Sequence, residues 1–265
     1  MFTLPKLVGL PYDASSSFLR GAAAAPPLIR QAMTSAAGNS FSEFGADLSQ
    51  LGDAGDLSVA GDAATARTQI QAGIRAILED RFRPIALGGD HSITYPIMRA
   101  IAPRHPGVTI LHIDAHADLY DEFEGDRYSH ACPFARIIEE QLCGRLVQVG
   151  IRTLTPHQRD QIARFGVDTI DMQSFAAGAR PGIDGPVYLS IDLDALDPAF
   201  APGVSHRESG GLTVREVLTM IHSLKGPLIG ADIVEFNPGC DIGGLTASAA
   251  AKIAREVAGA MLLGR

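Results

Sequence analysis

Short apolar runs alternate with helix-period patterns along nearly the whole chain, which predicts a mostly parallel sheet covered by helices on both faces. Strands are expected at Lys6 to Leu10, Pro84 to Leu87, Val108 to Ile113, Leu146 to Val149, Thr169 to Met172, Val187 to Ile191 and Pro227 to Val234. Helices are expected between them, at Asp62 to Glu79, Thr155 to Phe165, Thr213 to Leu224 and Thr246 to Leu263. Each opens on Asp or Thr, whose side-chain oxygen can accept from the first free N–H groups, and continues amphipathically. Gly21 to Pro27, four alanines followed by a Pro pair, and the Gly- and Pro-rich stretch Gly178 to Gly185 are too short to divide domains. Residues 1–265 therefore read as one α/β domain without repeats or a low-complexity tail.

Composition narrows the function classes. With 265 residues and 46% hydrophobic content the chain can bury one large core. A formal net charge of -8 argues against general nucleic-acid binding, whose footprint is basic, and favours a small cationic partner. Cys132, Cys143 and Cys240 are scattered and odd in number, so neither a disulfide framework nor a zinc ribbon is indicated. No window approaches about 18 apolar residues and the first residues lack a signal-peptide pattern, so a soluble protein of the reducing cytoplasm, away from membranes, is expected.

Four polar segments fall where apolar strands end, the place where open parallel sheets gather ligands. They are Gly88-Gly89-Asp90-His91-Ser92, Asp114-Ala115-His116-Ala117-Asp118, Asp192-Leu193-Asp194 running on to Asp197-Pro198, and Glu235-Phe236-Asn237-Pro238. An extended backbone would aim Asp114, His116 and Asp118 to one side, and Asp192 with Asp194. In the first segment the Gly pair permits a tight strand-to-helix turn, and Asp90 and Ser92 are placed to steady the His91 imidazole. It is not a phosphate loop, since the spacing and the Lys are missing, and no G-x-S-x-G elbow marks a serine hydrolase. Asp197 reads as a turn residue.

Unpaired carboxylates cannot share a crevice without a compensating charge, because removing each ion from water costs several kcal/mol. Divalent metal is the simplest remedy. Two imidazoles and four aspartates, His91, His116, Asp114, Asp118, Asp192 and Asp194, suffice for two octahedral-type sites if Asp114 and Asp192 bridge the ions. Oxygen-rich ligation with imidazole suits manganese better than zinc. With a bridging hydroxide the centre keeps about one negative charge in excess, which favours a cation such as a guanidinium. Two metals lower a bound water's pKa toward ~7 for attack on its unreactive carbon. Glu235 is placed for a bidentate contact with that cation, although a surface ion pair would also account for it.

The first three segments, with the third extended through Ala199-Phe200-Ala201-Pro202-Gly203, resemble the signature motifs of the ureohydrolase family, which contains arginase and agmatinase. The resemblance runs from about Val8 to Glu256 and points to the plant-type branch through Ser17-Phe18-Leu19-Arg20-Gly21, Tyr128-Ser129-His130-Ala131, Pro202-Gly203-Val204-Ser205-His206 and Val234-Glu235-Phe236-Asn237-Pro238. It implies a three-layer α/β/α sandwich, two manganese ions per subunit bridged by hydroxide, hydrolysis of a guanidino group to urea and an amine, and a homo-oligomeric trimer or hexamer. By motif position His91, Asp114, Asp118 and Asp192 hold one ion, and His116, Asp114, Asp192 and Asp194 the other. His130 matches the proton-shuttling histidine, Glu235 the guanidinium-binding glutamate, and Asp118 helps orient the intermediate.

Glu208-Ser209-Gly210-Gly211-Leu212 departs from the branch's usual Glu-Pro-Gly-Gly-Leu, and Arg207 adds a nearby cation. The animal-type motif that reads the α-amino and carboxylate groups is absent after Asp118; Tyr120 to Arg127 forms an acidic loop with one Arg instead. Such a loop suits the free ammonium of agmatine, which is preferred over arginine on that ground, while its Arg would suit a carboxylate. Alternatives are another guanidino or formimino substrate, guanidinobutyrate or formiminoglutamate, and a non-catalytic metal-binding oligomeric protein.

Overall fold

The computed structural model describes residues 4–264. Its strands are β1 (Pro5–Gly9), β2 (Gly52–Asp56), β3 (Arg83–Leu87), β4 (Thr109–Ile113), β5 (Arg145–Ile151), β6 (Asp168–Asp171), β7 (Val187–Asp192) and β8 (Leu228–Val234). They form one sheet in the order β2-β1-β3-β8-β7-β4-β5-β6, and every pairing is parallel. The central strands β3, β4, β7 and β8 are buried along their whole length, as expected of strands covered on both faces. Each fully buried Leu or Ile there contributes about 1.5–3 kcal/mol from area alone.

Helices α1 (Ala25–Met33), α7 (Val214–Ser223) and α8 (Leu245–Leu262) pack on one face with the short α6 (Met172–Ala176). Helices α2 (Ala63–Glu79), α3 (Thr94–Ile101), α4 (Pro133–Glu139) and α5 (Pro156–Phe165) cover the other. This is the expected three-layer sandwich. The caps of α2, α5 and α7 are the expected Asp62, Thr155 and Thr213. Two local expectations fail. Helix α8 starts at Leu245 after a left-handed Gly244, because the Thr246 hydroxyl is buried and accepts from Gly203 N–H at 2.7 Å. Met172 opens α6 rather than closing β6, because the Asp171 side chain caps Ser174 N–H.

Among the described residues no helix is long and apolar enough to cross a membrane. The sheet's central strands β3, β8, β7 and β4 are consecutive neighbours, and their carboxyl ends deliver His91, Glu235, Asp192 and Asp114 to one mouth.

Candidate active site

Turn chemistry, not strand periodicity, aims the ligand-type side chains. After β3, the Gly89 backbone lies so close to Tyr12 that an added Cβ would meet the Tyr12 carbonyl oxygen at 1.6 Å, so only glycine fits. Asp90 then accepts from Ser92 N–H and from Ser15 N–H at 2.9 Å, which fixes the turn. After β4 the backbone leaves the extended region: Asp114 Oδ1 accepts from His116 N–H at 2.7 Å, and Asp118 sits at a left-handed φ of 49°. Asp192 ends β7 and its Oδ1 accepts from Asp194 N–H at 2.8 Å, turning the chain so that both carboxylates face inward. Glu235 adopts φ 64° directly after β8. Non-glycine residues in this region carry of order 1 kcal/mol or more of strain, sustained here by the surrounding contacts.

The six ligand candidates meet in two adjoining groups. His91 Nδ1 lies 3.1 Å from Asp114 Oδ2, 3.1 Å from Asp118 Oδ2 and 3.2 Å from Asp192 Oδ2. His116 Nδ1 lies 3.1 Å from Asp194 Oδ2 and 3.6 Å from Asp114 Oδ1. Asp114 thus presents one oxygen to each group, as a bridging carboxylate must. Asp192 is seen beside His91, and its other oxygen is engaged by the Asp194 N–H.

The donor set fits divalent metal. His91 Nδ1 is buried and makes no hydrogen bond, although three carboxylate oxygens surround it. Ligand atoms about 2.2 Å from one ion and at right angles to each other stand about 3.1 Å apart, which is the spacing found here. Charge points the same way. Burial and the neighbouring Asp194 and Asp114 push Asp192 well above the usual carboxylate range. Burial and Asp114 raise Asp194 to about 6 against the opposing pull of His116. Asp192 therefore resists ionising unless positive charge is added beside it.

Supporting residues that sequence reasoning passed over decide the imidazole tautomers. His91 Nε2 meets Ser190 Oγ at 2.9 Å, and Ser190 Oγ donates to Asp232 Oδ1 at 2.7 Å. Asp232, fully buried, also accepts from Tyr188 at 2.6 Å and Thr94 at 2.9 Å. The proton therefore sits on Nε2, leaving the Nδ1 lone pair toward the carboxylates. This replaces the expectation that Asp90 and Ser92 steady the ring: they pair with each other and with the turn. His112, hidden inside an apolar strand, holds Asp114 Oδ2 through Nε2 at 2.7 Å, while its Nδ1 accepts from Gln148 at 3.0 Å and its ring stacks on Phe134. The available signal was a lone polar residue two positions before a ligand on the same strand.

Glu235 and His130 form a second constellation beside the first. Glu235 Oε1 accepts from His91 N–H and from His130 Nδ1, each at 2.9 Å, and His130 Nε2 meets Ser17 Oγ at 2.8 Å. Burial disfavours the imidazolium, but the Glu235 charge and hydrogen bond, with Asp118 and Asp90 behind them, raise His130 to about 9. Glu235 is lowered: burial opposes ionisation, and His130 outweighs it. A cavity of about 310 Å³ opens on both constellations and is also lined by His116, Asp118, Asp192, Tyr120, Thr155 and Gln158. His206 also lines it, its ring 5.3 Å from that of His130. Asp197 is the expected turn residue, accepting from Ala199, Gly210 and Gly211 N–H groups.

Fold and site define a hydrolase of the α/β/α class built around a His/Asp cluster that fits metal. Residues 5–259 match the Arginase family model. The chain belongs to the arginase family, in agreement with the ureohydrolase resemblance of its motifs. It is 46% identical to "Arginase 1, mitochondrial" of Arabidopsis thaliana over 95% of this chain and 79% of that protein. It is 36% identical to "Guanidino acid hydrolase, mitochondrial" of Homo sapiens over 94% and 76% of the respective chains. The solved arginase from Medicago truncatula superimposes with a TM-score of 0.94 at 41% identity, covering 98% of this chain and 88% of that one.

Proposed function

We propose that this enzyme is a binuclear manganese ureohydrolase that cleaves L-arginine to urea and an amine. The observation that carries the reaction is the single cavity that brings the His/Asp cluster and the His130–Glu235 pair together. His91, Asp114, Asp118 and Asp192 would hold one ion, and His116, Asp114, Asp192 and Asp194 the other. When bound, divalent ions supply a nucleophile by lowering a water's pKa toward ~7.

The protein's own groups do the rest. Glu235 Oε1 is already engaged, so Oε2 is the oxygen offered to the N–H edge of a planar guanidinium. Asp118 lines the cavity beside His91 and orients the reacting centre. His130, held protonated by Glu235, stands where it can give its Nε2 proton to the departing nitrogen. The bond between the guanidino carbon and the substrate's own nitrogen breaks. The water oxygen becomes the carbonyl oxygen of urea, and the amine leaves protonated.

The distal lining supports arginine. Thr153, Leu154, Thr155 and Gln158 are neutral, which suits a zwitterionic end whose two charges offset each other. The loop-based case for agmatine loses one carboxylate: Asp121 pairs with Arg127 at 2.7 Å and Arg136 at 2.9 Å, and lies outside the lining. Agmatine remains the second reading, because exposed Glu122 and Glu124 flank Phe123, which does line the cavity. Urea release from arginine, agmatine and guanidinobutyrate by the manganese-reconstituted protein, with formamide assayed from formiminoglutamate, is the test. Urea from none of the guanidino compounds overturns the reading. Metal analysis of the purified enzyme tests for two manganese ions per subunit. A homo-oligomer is also proposed, supported by the exposed apolar Phe18 and Ile242 and tested by light scattering.

A further inference from the structure

A third constellation lies on the helical face formed by α2 and α3, away from the Asp/His cluster. The Arg67 guanidinium carbon sits 4.0 Å from the centre of the Tyr128 ring, and Arg99 lies 5.8 Å from that of Tyr95. The two rings are 5.6 Å apart. These four residues and Gln71 line a cavity of about 190 Å³ whose described lining contains no carboxylate. Arg99 and the Tyr95 hydroxyl both engage Glu140, which fixes them at the edge. The Arg67 side chain makes no hydrogen bond or ion pair among the described residues; it is held against the Tyr128 ring, with the exposed Asp62 carboxylate acting on it only through space.

Stacking occupies the guanidinium's face and leaves its in-plane N–H groups free for an acceptor. Gln71, likewise without a hydrogen bond among the described residues, adds an amide donor at the same cavity. A chain of net charge -8 has little reason to hold a pre-oriented, unpaired guanidinium beside a second one unless an anion joins them. We infer that this cavity binds a small oxyanion, a phosphate or carboxylate group, with Arg67 and Arg99 as its principal contacts. Tyr128 lies two residues before His130, so the site is backed by the segment that carries the imidazole paired with Glu235.

Calorimetric titration of the full-length, metal-loaded protein with inorganic phosphate, and separately with acetate, tests this and distinguishes the two anion sources. Saturable binding is expected, weakened about tenfold or more by Arg67→Gln and by Arg99→Gln, as loss of a charged hydrogen bond implies. Arg164→Gln, a stacked arginine on α5, should leave it unchanged. Arg67→Lys, which keeps the charge and loses the planar fork, should rescue only part. Absence of saturable binding by either anion overturns the assignment. So does binding that survives both substitutions, which would place the anion at the Asp/His cluster.

Discussion

His91 Nε2 and Ser190 Oγ stand 2.9 Å apart, and this contact commits the other ring nitrogen, Nδ1, to three aspartates. Ser190 touches none of the proposed ions, yet it sets the tautomer through Asp232. Ser190→Ala is expected to weaken metal binding about 10–100-fold, the usual cost of removing such a support, with the fold intact. Competition with a chelating dye measures it; unchanged affinity would show that the ring is oriented by packing against Phe134 alone.

Metal removal should destabilise the protein through the crowded carboxylates. Dialysis against chelator is expected to abolish urea release and lower the melting temperature, and added manganese should restore both. At a hundredfold excess over Kd one bound ion contributes about 2.7 kcal/mol. Asp192→Asn removes an aspartate repelled by Asp194 and Asp114, so the metal-free variant should melt higher than the metal-free parent while gaining little from manganese. A metal-free variant less stable than its parent would contradict the charge argument.

His130 provides a pH signature. Its pKa is raised, so its protonation stabilises the fold fully below its unfolded value near 6.5, and that contribution is lost as pH rises toward about 9. NMR titration of the metal-free protein should find the imidazole titrating near 9, and Glu235→Gln should return it toward 6.5. The same substitution should reduce urea release about 10²–10⁴-fold, the range for a positioned acid–base pair. Glu235→Gln with an unmoved His130 titration would remove the pair from the mechanism.

Substrate choice is testable at Gln158, a buried residue that lines the cavity and closes a capping box with Thr155 at the start of α5. Gln158→Glu preserves that box, since Glu serves at the same position. It adds a carboxylate where the lining is neutral, so the ratio of kcat/KM for agmatine over arginine should rise about tenfold, the worth of one charged hydrogen bond. No change in the ratio would mean that the distal end of the substrate is read elsewhere.

The layers were legible because the central strands are buried on both faces and must be written in apolar residues, with punctuation at their ends. Elements without that constraint escaped. The edge strand β2, Gly52–Asp56, is largely exposed and reads as a polar loop. Helix α1 carries Pro26 and Pro27 in its first turn, where a missing N–H costs nothing, so a Pro pair that reads as loop punctuation begins a helix. Helix α3 is buried nearly all round and has only 8 residues, too few turns for a helical period to stand out from an apolar run.

The sequence by itself determined the candidate set: His91, Asp114, His116, Asp118, Asp192 and Asp194 are chemically conspicuous at strand ends, where parallel sheets gather ligands. How those groups divide is not in the strand period: Asp118 lies beside His91 rather than its neighbour His116, as the motif resemblance implies, because a left-handed turn intervenes. Only the tertiary structure made Ser190, Asp232 and Gln148 visible. Inside strands they resemble ordinary core positions, and their roles arise from hydrogen bonds across neighbouring strands and a strand-to-helix turn, which no local pattern encodes.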